Sequence, residues 1–356
     1  MFTVHMLDAA HGDCLWIEYG DPAWPKRILI DTGPAATWTQ HLYPKIQAVV
    51  DAEGECVFEL FVVTHVDDDH IGGSLRFLDE IDPATVRIRE IWFNGYFNLS
   101  NEVHSVLGPD QGEKLTELIV RGGWPWNRKF GGRAVMVPRE GKLKTFSFAG
   151  MKLTVLSPTF EKMQALKRTW EKVIREQGLV PGSAYVGEET VLSGGFLGAD
   201  VELLAQARFK EDATEANGSS IAFLAEYEGR RVLFGADAHP SVLVDSLQRP
   251  PFKGAVQAVD AFKLPHHGSA KNVSVPMLAA FPARRYLVST TGARFKHPDP
   301  EAIARVVVNG SGAGAALCFN CASDFNRDWA KPARQEEYGY TAEYGEPGEG
   351  LLVALD

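Results

Sequence analysis

Thr64-His65-Val66-Asp67-Asp68-Asp69-His70-Ile71-Gly72-Gly73 decides how this chain is read. The seven residues before it, 57–63, are apolar apart from Glu59 and rich in β-branched and aromatic side chains, which suits a strand buried on both faces along most of its length. Two imidazoles and three carboxylates therefore arrive together at the C-terminal end of a buried strand. An Asp-rich loop alone reads as a solvated turn or a calcium loop. With a histidine at each flank it reads as a divalent-metal site. The pattern His65-x-Asp67-x-Asp69-His70 places alternate residues on one side of an irregular loop, and the adjacent Asp69 and His70 can turn toward a second ion. Two ions about 3.5 to 4 Å apart can clamp the attacking and leaving oxygens of a phosphodiester. A helix over 74–79 is expected just after the last ligand candidate.

Outward from this run, strands are expected at 1–7, 14–19 and 27–31, the last stopping at Asp31-Thr32-Gly33-Pro34, with a turn at 9–13 and a helix over 38–53. Downstream, 86–93 and 152–156 read as strands and 112–121 and 161–177 as helices, the last by its helical spacing of apolar residues. Residues 180–215 are Gly-rich and partly polar, a candidate lid. Strands return at 220–227 and 231–235, joined by Glu228-Gly229, and at 259–264 and 285–289. A helix over 299–308 and strands at 315–319 and 350–355 close the chain. Four strands thus end at Asp31, at the His65 run, at Asp237 and at His266-His267. Metal-ligating residue types at the same end of several apolar strands are expected where a site sits at one edge of a sheet.

Composition sets the frame. The 356 residues are 45% hydrophobic and 23% charged, ordinary globular material, expected as one elaborated domain over 1–356 with about 94–215 as an insertion or elaborated region. The net charge of −10 argues against a generic nucleic-acid binder, which neutralises phosphates with a basic surface. It leaves a nuclease open, because carboxylates at a metal site carry negative charge that bound cations cancel. No apolar run nears the ~20 residues that span a bilayer, and the N-terminus shows no export signal. A cytoplasmic location without a membrane anchor is expected. Cys14, Cys56, Cys318 and Cys321 are too sparse for a disulfide framework. Cys318-Phe319-Asn320-Cys321 lacks the second ligand pair of a structural zinc site and reads as strand-end burial.

At these residues the sequence resembles the metallo-β-lactamase superfamily, whose HxHxDH motif appears here with Asp67 in place of the middle histidine. In the form THxDxDHIGG it is similar to the metallohydrolase domain of the DNA-internalisation protein ComEC and its soluble stand-alone relatives. Leu7-Asp8-Ala9-Ala10-His11-Gly12-Asp13 is similar to the family's opening DVGQGD, departing at Ala10 and His11, and Leu29-Ile30-Asp31-Thr32-Gly33 matches its LIDTG. Asn217-Gly218-Ser219-Ser220 and Gly235-Ala236-Asp237 resemble its NxxS and TGD pair. Lys263-Leu264-Pro265-His266-His267-Gly268-Ser269 and His297-Pro298 resemble its LKVxHHGS and late HP.

The resemblance implies an α/β fold, the αββα four-layer sandwich, with a partly helical middle insertion and a divalent-metal site at the sheet edge. By position, His65 and Asp67 would bind one ion and Asp69 and His70 the other. Asp237 would bridge them, His267 would complete the second site, and Asp31 would orient a ligand histidine. Either of His266 and His267 could be the ligand, with His267 favoured because it precedes Gly268. The superfamily's third-motif histidine is missing at Leu156-Ser157-Pro158-Thr159, and His104 is the only histidine between His70 and Asp237. One position is therefore richer in carboxylate, which leans toward Mn²⁺ over Zn²⁺, with Mg²⁺ a third candidate.

The chemistry this implies is attack on phosphorus by a metal-activated water. Asp69 and His297 are the catalytic candidates, His297 to protonate the leaving oxygen. Lys271, Arg294 and Lys296 are candidates to hold phosphate, with Ser220 and Ser269 weaker ones. DNA or another phosphodiester is the expected substrate, and the relatives' association with antiviral defence suggests a protein partner in such a system. Two alternatives stand beside the nuclease reading: a hydrolase of a cyclic nucleotide, ester or lactam, and a partner-binding subunit with a degenerate site.

Overall fold

A computed structural model of the chain describes residues 1–99, 110–176, 200–311 and 314–355. His104, Gln177 and the 180–199 part of the candidate lid lie outside the described residues. β1 (Phe2–Met6), β2 (Leu15–Tyr19) and β3 (Lys26–Ile30) form an antiparallel meander, and α1 (Tyr43–Glu53) leads to β4 (Cys56–Val62), parallel to β3. The helix expected over 38–53 opens with a π-turn at Trp38–Leu42, and Pro44 sits in the first turn of α1, where its missing N–H costs nothing. After α2 (Asp68–Glu80) come β5 (Val86–Ile88) and β6 (Ile91–Trp92), both pairing with β4, and α3 (Asp110–Arg121). The single strand expected over 86–93 is thus broken at Arg89-Glu90.

The second half builds another sheet. β7 (Thr145–Phe148) and β8 (Met151–Ser157) form a hairpin, α4 (Phe160–Glu176) follows, and β9 (Ala222–Tyr227) and β10 (Arg230–Phe234) form a second hairpin. The stretch expected as an insertion therefore supplies two strands of this sheet. α5 (Pro240–Leu247), β11 (Val259–Lys263), α6 (Val275–Ala280), β12 (Ala283–Val288), α7 (Pro300–Asn309), β13 (Ala316–Phe319) and β14 (Thr341–Tyr344) continue the fold. β15 (Leu351–Ala354) returns to the first sheet and pairs with β1. The strand orders are β15-β1-β2-β3-β4-β5, with β6 beside β4, and β14-β13-β12-β11-β10-β9-β8-β7.

Alternation along the strands makes the layers. Ile28, Ile30, Leu60 and Val62 face a core shared with Leu153, Val155, Phe223 and Val232 of the second sheet. Their neighbours Leu29, Phe61 and Val63 face Ile46, Phe77 and Leu115 of α1, α2 and α3. Leu243, Met277 and Ile303 bring α5, α6 and α7 onto the second sheet. The layer order is helix, sheet, sheet, helix, the αββα sandwich expected. No helix among the described residues is long and apolar enough to cross a membrane. The four cysteines are buried and free, Cys318 at the end of β13 and Cys321 just beyond it.

One buried group in the helical layer is costly. Glu113 of α3 is 4% exposed, and neither carboxylate oxygen has a hydrogen-bond partner among the described residues. Burial pushes its carboxyl up to about 8 from 4.5. Its folded-state affinity for a proton exceeds that of the unfolded chain, so stability falls as pH rises between those values. Glu113→Gln is expected to stabilise the protein by about 2 kcal/mol at pH 8 and by much less at pH 5. Thermal unfolding at the two pH values measures the difference.

Candidate metal centre

The cluster lies just beyond the C-terminal ends of parallel strands: Asp31 after β3, Thr64 to Asp67 after β4, Asp237 after β10, His266 and His267 after β11, and Ser289 after β12. One local expectation is corrected here. Asp69 and His70 belong to no irregular loop, and the helix does not wait for Ser74: α2 begins at Asp68, with Asp67 extended before it. Asp68 and Asp69 in the first turn suit the positive end of the helix dipole. Gly72 and Gly73 let α2 lie against the Asp31 loop; a Cβ on Gly73 would come within 2.6 Å of the Thr32 carbonyl oxygen. Tight backbone geometry is concentrated here, since Asp31, Ala236, His266 and His267 all have positive φ, as strained residues at functional sites do.

Each inward-facing imidazole has its Nδ1 fixed from behind. His70 donates Nδ1–H to Asp31 Oδ2 at 2.8 Å. Asp31 also accepts from the Thr64 backbone N–H at 2.8 Å and from the Thr64 hydroxyl at 2.7 Å. With its hydrogen committed, that hydroxyl accepts His65 Nδ1–H at 3.0 Å. His267 Nδ1 meets the Ser289 carbonyl oxygen at 2.8 Å, which can only accept. All three rings therefore present Nε2 to the centre, the tautomer that a metal ligand needs.

Around those nitrogens lie carboxylates. Asp237 Oδ1 is 3.3 Å from His70 Nε2, and Asp237 Oδ2 is 3.8 Å from His65 Nε2. Asp69 Oδ2 is 3.1 Å from His267 Nε2 and 3.9 Å from His70 Nε2, while Asp67 Oδ2 is 3.5 Å from His65 Nε2. His65 Nε2, His70 Nε2 and Asp237 Oδ1 are buried without a hydrogen-bond partner among the described residues. Three such atoms converging in one place are costly unless a ligand meets them. Two groups, His65 with His70 and Asp237, and Asp13 with His70 and His267, bring their ligand atoms within 4.8 Å of one another. The residues present fit divalent cations.

Electrostatics favour a cation here. Burial lowers the His70 imidazole, but Asp237, Asp31 and Asp69 outweigh it and hold it well above its ordinary value. Burial likewise opposes a rise at His266 and His267, yet Asp237 and Asp212 carry His266 up to about 9, and Asp13, Asp237 and Asp69 raise His267. Burial would raise Asp237 and Asp69; the facing histidines hold both below the usual carboxylate range. The carboxylates attract positive charge to the imidazole nitrogens, as a proton or as a metal ion.

The remaining sequence candidates sit around this centre. The His297 ring is 5.1 Å from that of His266, with its Nδ1 3.4 Å from Asp299 Oδ1. Arg294 stands 5.1 Å over the Phe295 ring and 3.7 Å from Asp68 Oδ2, and Lys296 lies on the same loop with positive φ. Lys271 is exposed. The Ser269 hydroxyl accepts the Lys271 N–H at 3.3 Å, closing its own turn, and the buried Ser220 hydroxyl has no partner among the described residues.

Several residues gather here to which the sequence reading gave no role. Asp13, just before β2, accepts Lys263 Nζ at 2.7 Å and lies 3.4 Å from His267 Nδ1. A lysine in an apolar strand end signals a buried partner, and that was the available clue. Asp212 and Asn217, from a segment about 50 residues upstream, and Asn272, six residues downstream, wrap His266 without periodic signal. His11, where the resembled motif has glutamine, packs 5.6 Å from Phe295 with its Nε2 buried and unpartnered among the described residues.

Fold and cluster together define an α/β sandwich carrying a candidate two-ion centre at the C-terminal ends of its parallel strands. No protein-family model matches the chain, and no curated protein does. Among solved structures it is similar to a protein from Parabacteroides distasonis ATCC 8503 named as a metal-dependent hydrolase, at 9% identity, covering 97% of this chain and 93% of that one, with a TM-score of 0.39. Zn²⁺-bound PqqB from Methylobacterium extorquens matches at 12% identity over 99% and 100% of the chains, TM-score 0.43. A diphosphatase of the PhnP family matches at 11% identity over 100% and 98%, TM-score 0.39.

Proposed function

We propose that this chain is a metal-dependent hydrolase of the metallo-β-lactamase fold that cleaves phosphodiesters, with nucleic acid the foremost substrate. The observation that carries the reading is the convergence of His65 Nε2, His70 Nε2 and Asp237 Oδ1, buried and unpartnered among the described residues, with both imidazoles fixed from behind. His65 and Asp67 would hold one cation, Asp69, His70 and His267 the other, with Asp237 between them. Divalent cations bound there supply Lewis-acid charge stabilisation and a nucleophile at neutral pH. Mn²⁺ and Zn²⁺ both suit this mixture of imidazole and carboxylate.

The chain's own groups do the rest. Asp31 keeps His70, and through Thr64 also His65, in the ligand tautomer. Arg294, Lys296 and Lys271 offer positive charge to a phosphate or to the flanking backbone of a polynucleotide. His297, beside His266 and 3.4 Å from Asp299 Oδ1, is the candidate to protonate a leaving oxygen; burial holds its imidazole below its ordinary value, so Asp299 and the incoming negative charge would have to keep the proton on it. The preference for phosphorus over an acyl carbon rests on those cations and on the ordered motif series.

The test is turnover by purified protein with Mn²⁺, Mg²⁺ or Zn²⁺ against single- and double-stranded DNA, RNA, bis-p-nitrophenyl phosphate and nitrocefin. Metal-dependent cleavage of a nucleic acid and of the model diester is expected. Turnover of nitrocefin alone would replace the phosphodiesterase reading with a lactamase one. Inertness toward every substrate, in protein that still binds metal, would leave the binding-subunit reading in its place.

A further inference from the structure

We propose that both members of the tandem His266-His267 are metal ligands, one for each ion, and that His266 supplies the nitrogen which no third-motif histidine provides. This rests on the two-ion reading above and goes beyond it. β8 ends in Ser157, whose buried hydroxyl has no partner among the described residues. That position leaves His65, Asp67 and Asp237 one donor short of four.

The Asp237 carboxylate divides the cluster in two. Its Oδ1 faces His70, and its Oδ2 lies 3.8 Å from both His65 Nε2 and His266 Nε2. One side then holds His65, Asp67, His266 and Asp237 Oδ2. The other holds His70, Asp69, His267 and Asp237 Oδ1. Each side has two imidazole nitrogens and two carboxylate oxygens, a complete set for a four-coordinate ion.

The backbone explains how neighbours in sequence reach both halves. Successive residues of a strand point to opposite faces. His266 at φ 47, ψ 52 and His267 at φ 52, ψ 23 instead form a left-handed pair that brings both rings to the cluster with centroids 6.0 Å apart. Left-handed non-glycine residues are costly and persist where the surroundings over-determine them.

His266 is also held as a ligand would be. Asn272 Nδ2 donates to Asp212 Oδ2 and to the Asp237 carbonyl oxygen, each at 3.2 Å, which turns Asn272 Oδ1 toward His266 Nδ1 at 3.0 Å. Asn272 Oδ1 can only accept, which fixes the hydrogen on His266 Nδ1, while Asn217 Nδ2, 3.2 Å from the same nitrogen, donates to Asp212 at 2.6 Å. His266 Nδ1 therefore donates, and Nε2 presents a lone pair toward Asp237. The Asp212-Asn272-His266 chain does for this ring what Asp31 does for His70.

The test reads metal rather than turnover. Metal content by mass spectrometry and calorimetric titration with Zn²⁺ should give two ions per wild-type chain and one in His266→Ala. The affinity of one ion should fall at least about 10²-fold, with the other unchanged. His267→Ala should lose the other ion instead. His266→Gln repeats the measurement should the alanine variant fail to fold. Anomalous scattering at the zinc edge from wild-type crystals should place one ion about 2.0 to 2.1 Å from His266 Nε2. Two ions in wild type with His266 more than 3 Å from either, or two ions at unchanged affinity in both His266 variants, would overturn this inference alone. No bound ion in wild type would overturn it together with the two-ion reading.

Discussion

Asp237→Ala is expected to lower kcat/KM on the best phosphodiester substrate by about 10³-fold or more and to reduce the bound metal below two ions per chain. The expectation follows from position. Asp237 is 2% exposed, and its two oxygens face different histidines, Oδ1 toward His70 and Oδ2 toward His65 and His266. Its loss removes a donor from both halves of the cluster at once. It also removes the foremost of the carboxylates that attract positive charge to His70. Asp31→Ala makes the comparison, since it removes no inward-facing donor and only frees the rings of His70 and His65; a loss of about 10- to 100-fold in metal affinity is expected there. The decisive measurement is the pair of variants under saturating Mn²⁺ or Zn²⁺. Recovery of Asp31→Ala but not Asp237→Ala separates a positioning residue from a donor. Full activity of Asp237→Ala would mean that the activity does not belong to this centre.

Much of that centre was legible because its parts are written at strand ends. Apolar runs stop at Asp31, His65, Asp237 and His266, and a polar residue of ligand type after such a run is visible without a structure. The layer order came with the resemblance that the motif series carries. What stayed hidden depends on packing between distant segments. The start of α2 was placed too late, because the contacts that make room for Gly72 and Gly73 within a helix, with Pro34 and Ala35 and with Thr32, come from a distant loop. β7 and β14 are four-residue strands near the sheet edges, and their brief alternation is too short to stand out from the surrounding loops. Asp212 and Asn272 are ordinary turn residues by sequence, and only the fold sets them behind His266. The choice posed between His266 and His267 leaned on the place of His267 before Gly268, and nothing local announces the left-handed pair that brings both rings to the cluster.

Lys263→Met is expected to be the most destabilising single change outside the apolar core, by about 3 to 5 kcal/mol. Lys263 at the end of β11 is 0% exposed and Asp13 before β2 is 1% exposed, so their 2.7 Å contact is a fully buried ion pair tying the two sheets together. Burial alone would raise the Asp13 carboxyl; Lys263 and then His267 hold it below the usual carboxylate range. Methionine replaces the stem of the lysine but leaves that carboxylate without its cation, and the desolvation cost stays. A carboxyl held low in the folded state stabilises above its unfolded value and loses that contribution as pH falls through the lower folded one. The gap between wild type and Lys263→Met should therefore be full at pH 7 and shrink in acid. Asp13→Asn with Lys263→Met should restore most of the lost stability, because an uncharged pair of similar volume has no charge to desolvate. Denaturant unfolding of the four proteins measures the coupling, and additive losses would show that the pair is not coupled. Asp13 also lies 3.4 Å from His267 Nδ1, so Lys263→Met, which removes a cation and leaves that carboxylate unpaired, should tighten the ion on the His70 side while leaving the His65 side intact, which links the seam between the sheets to one half of the metal centre.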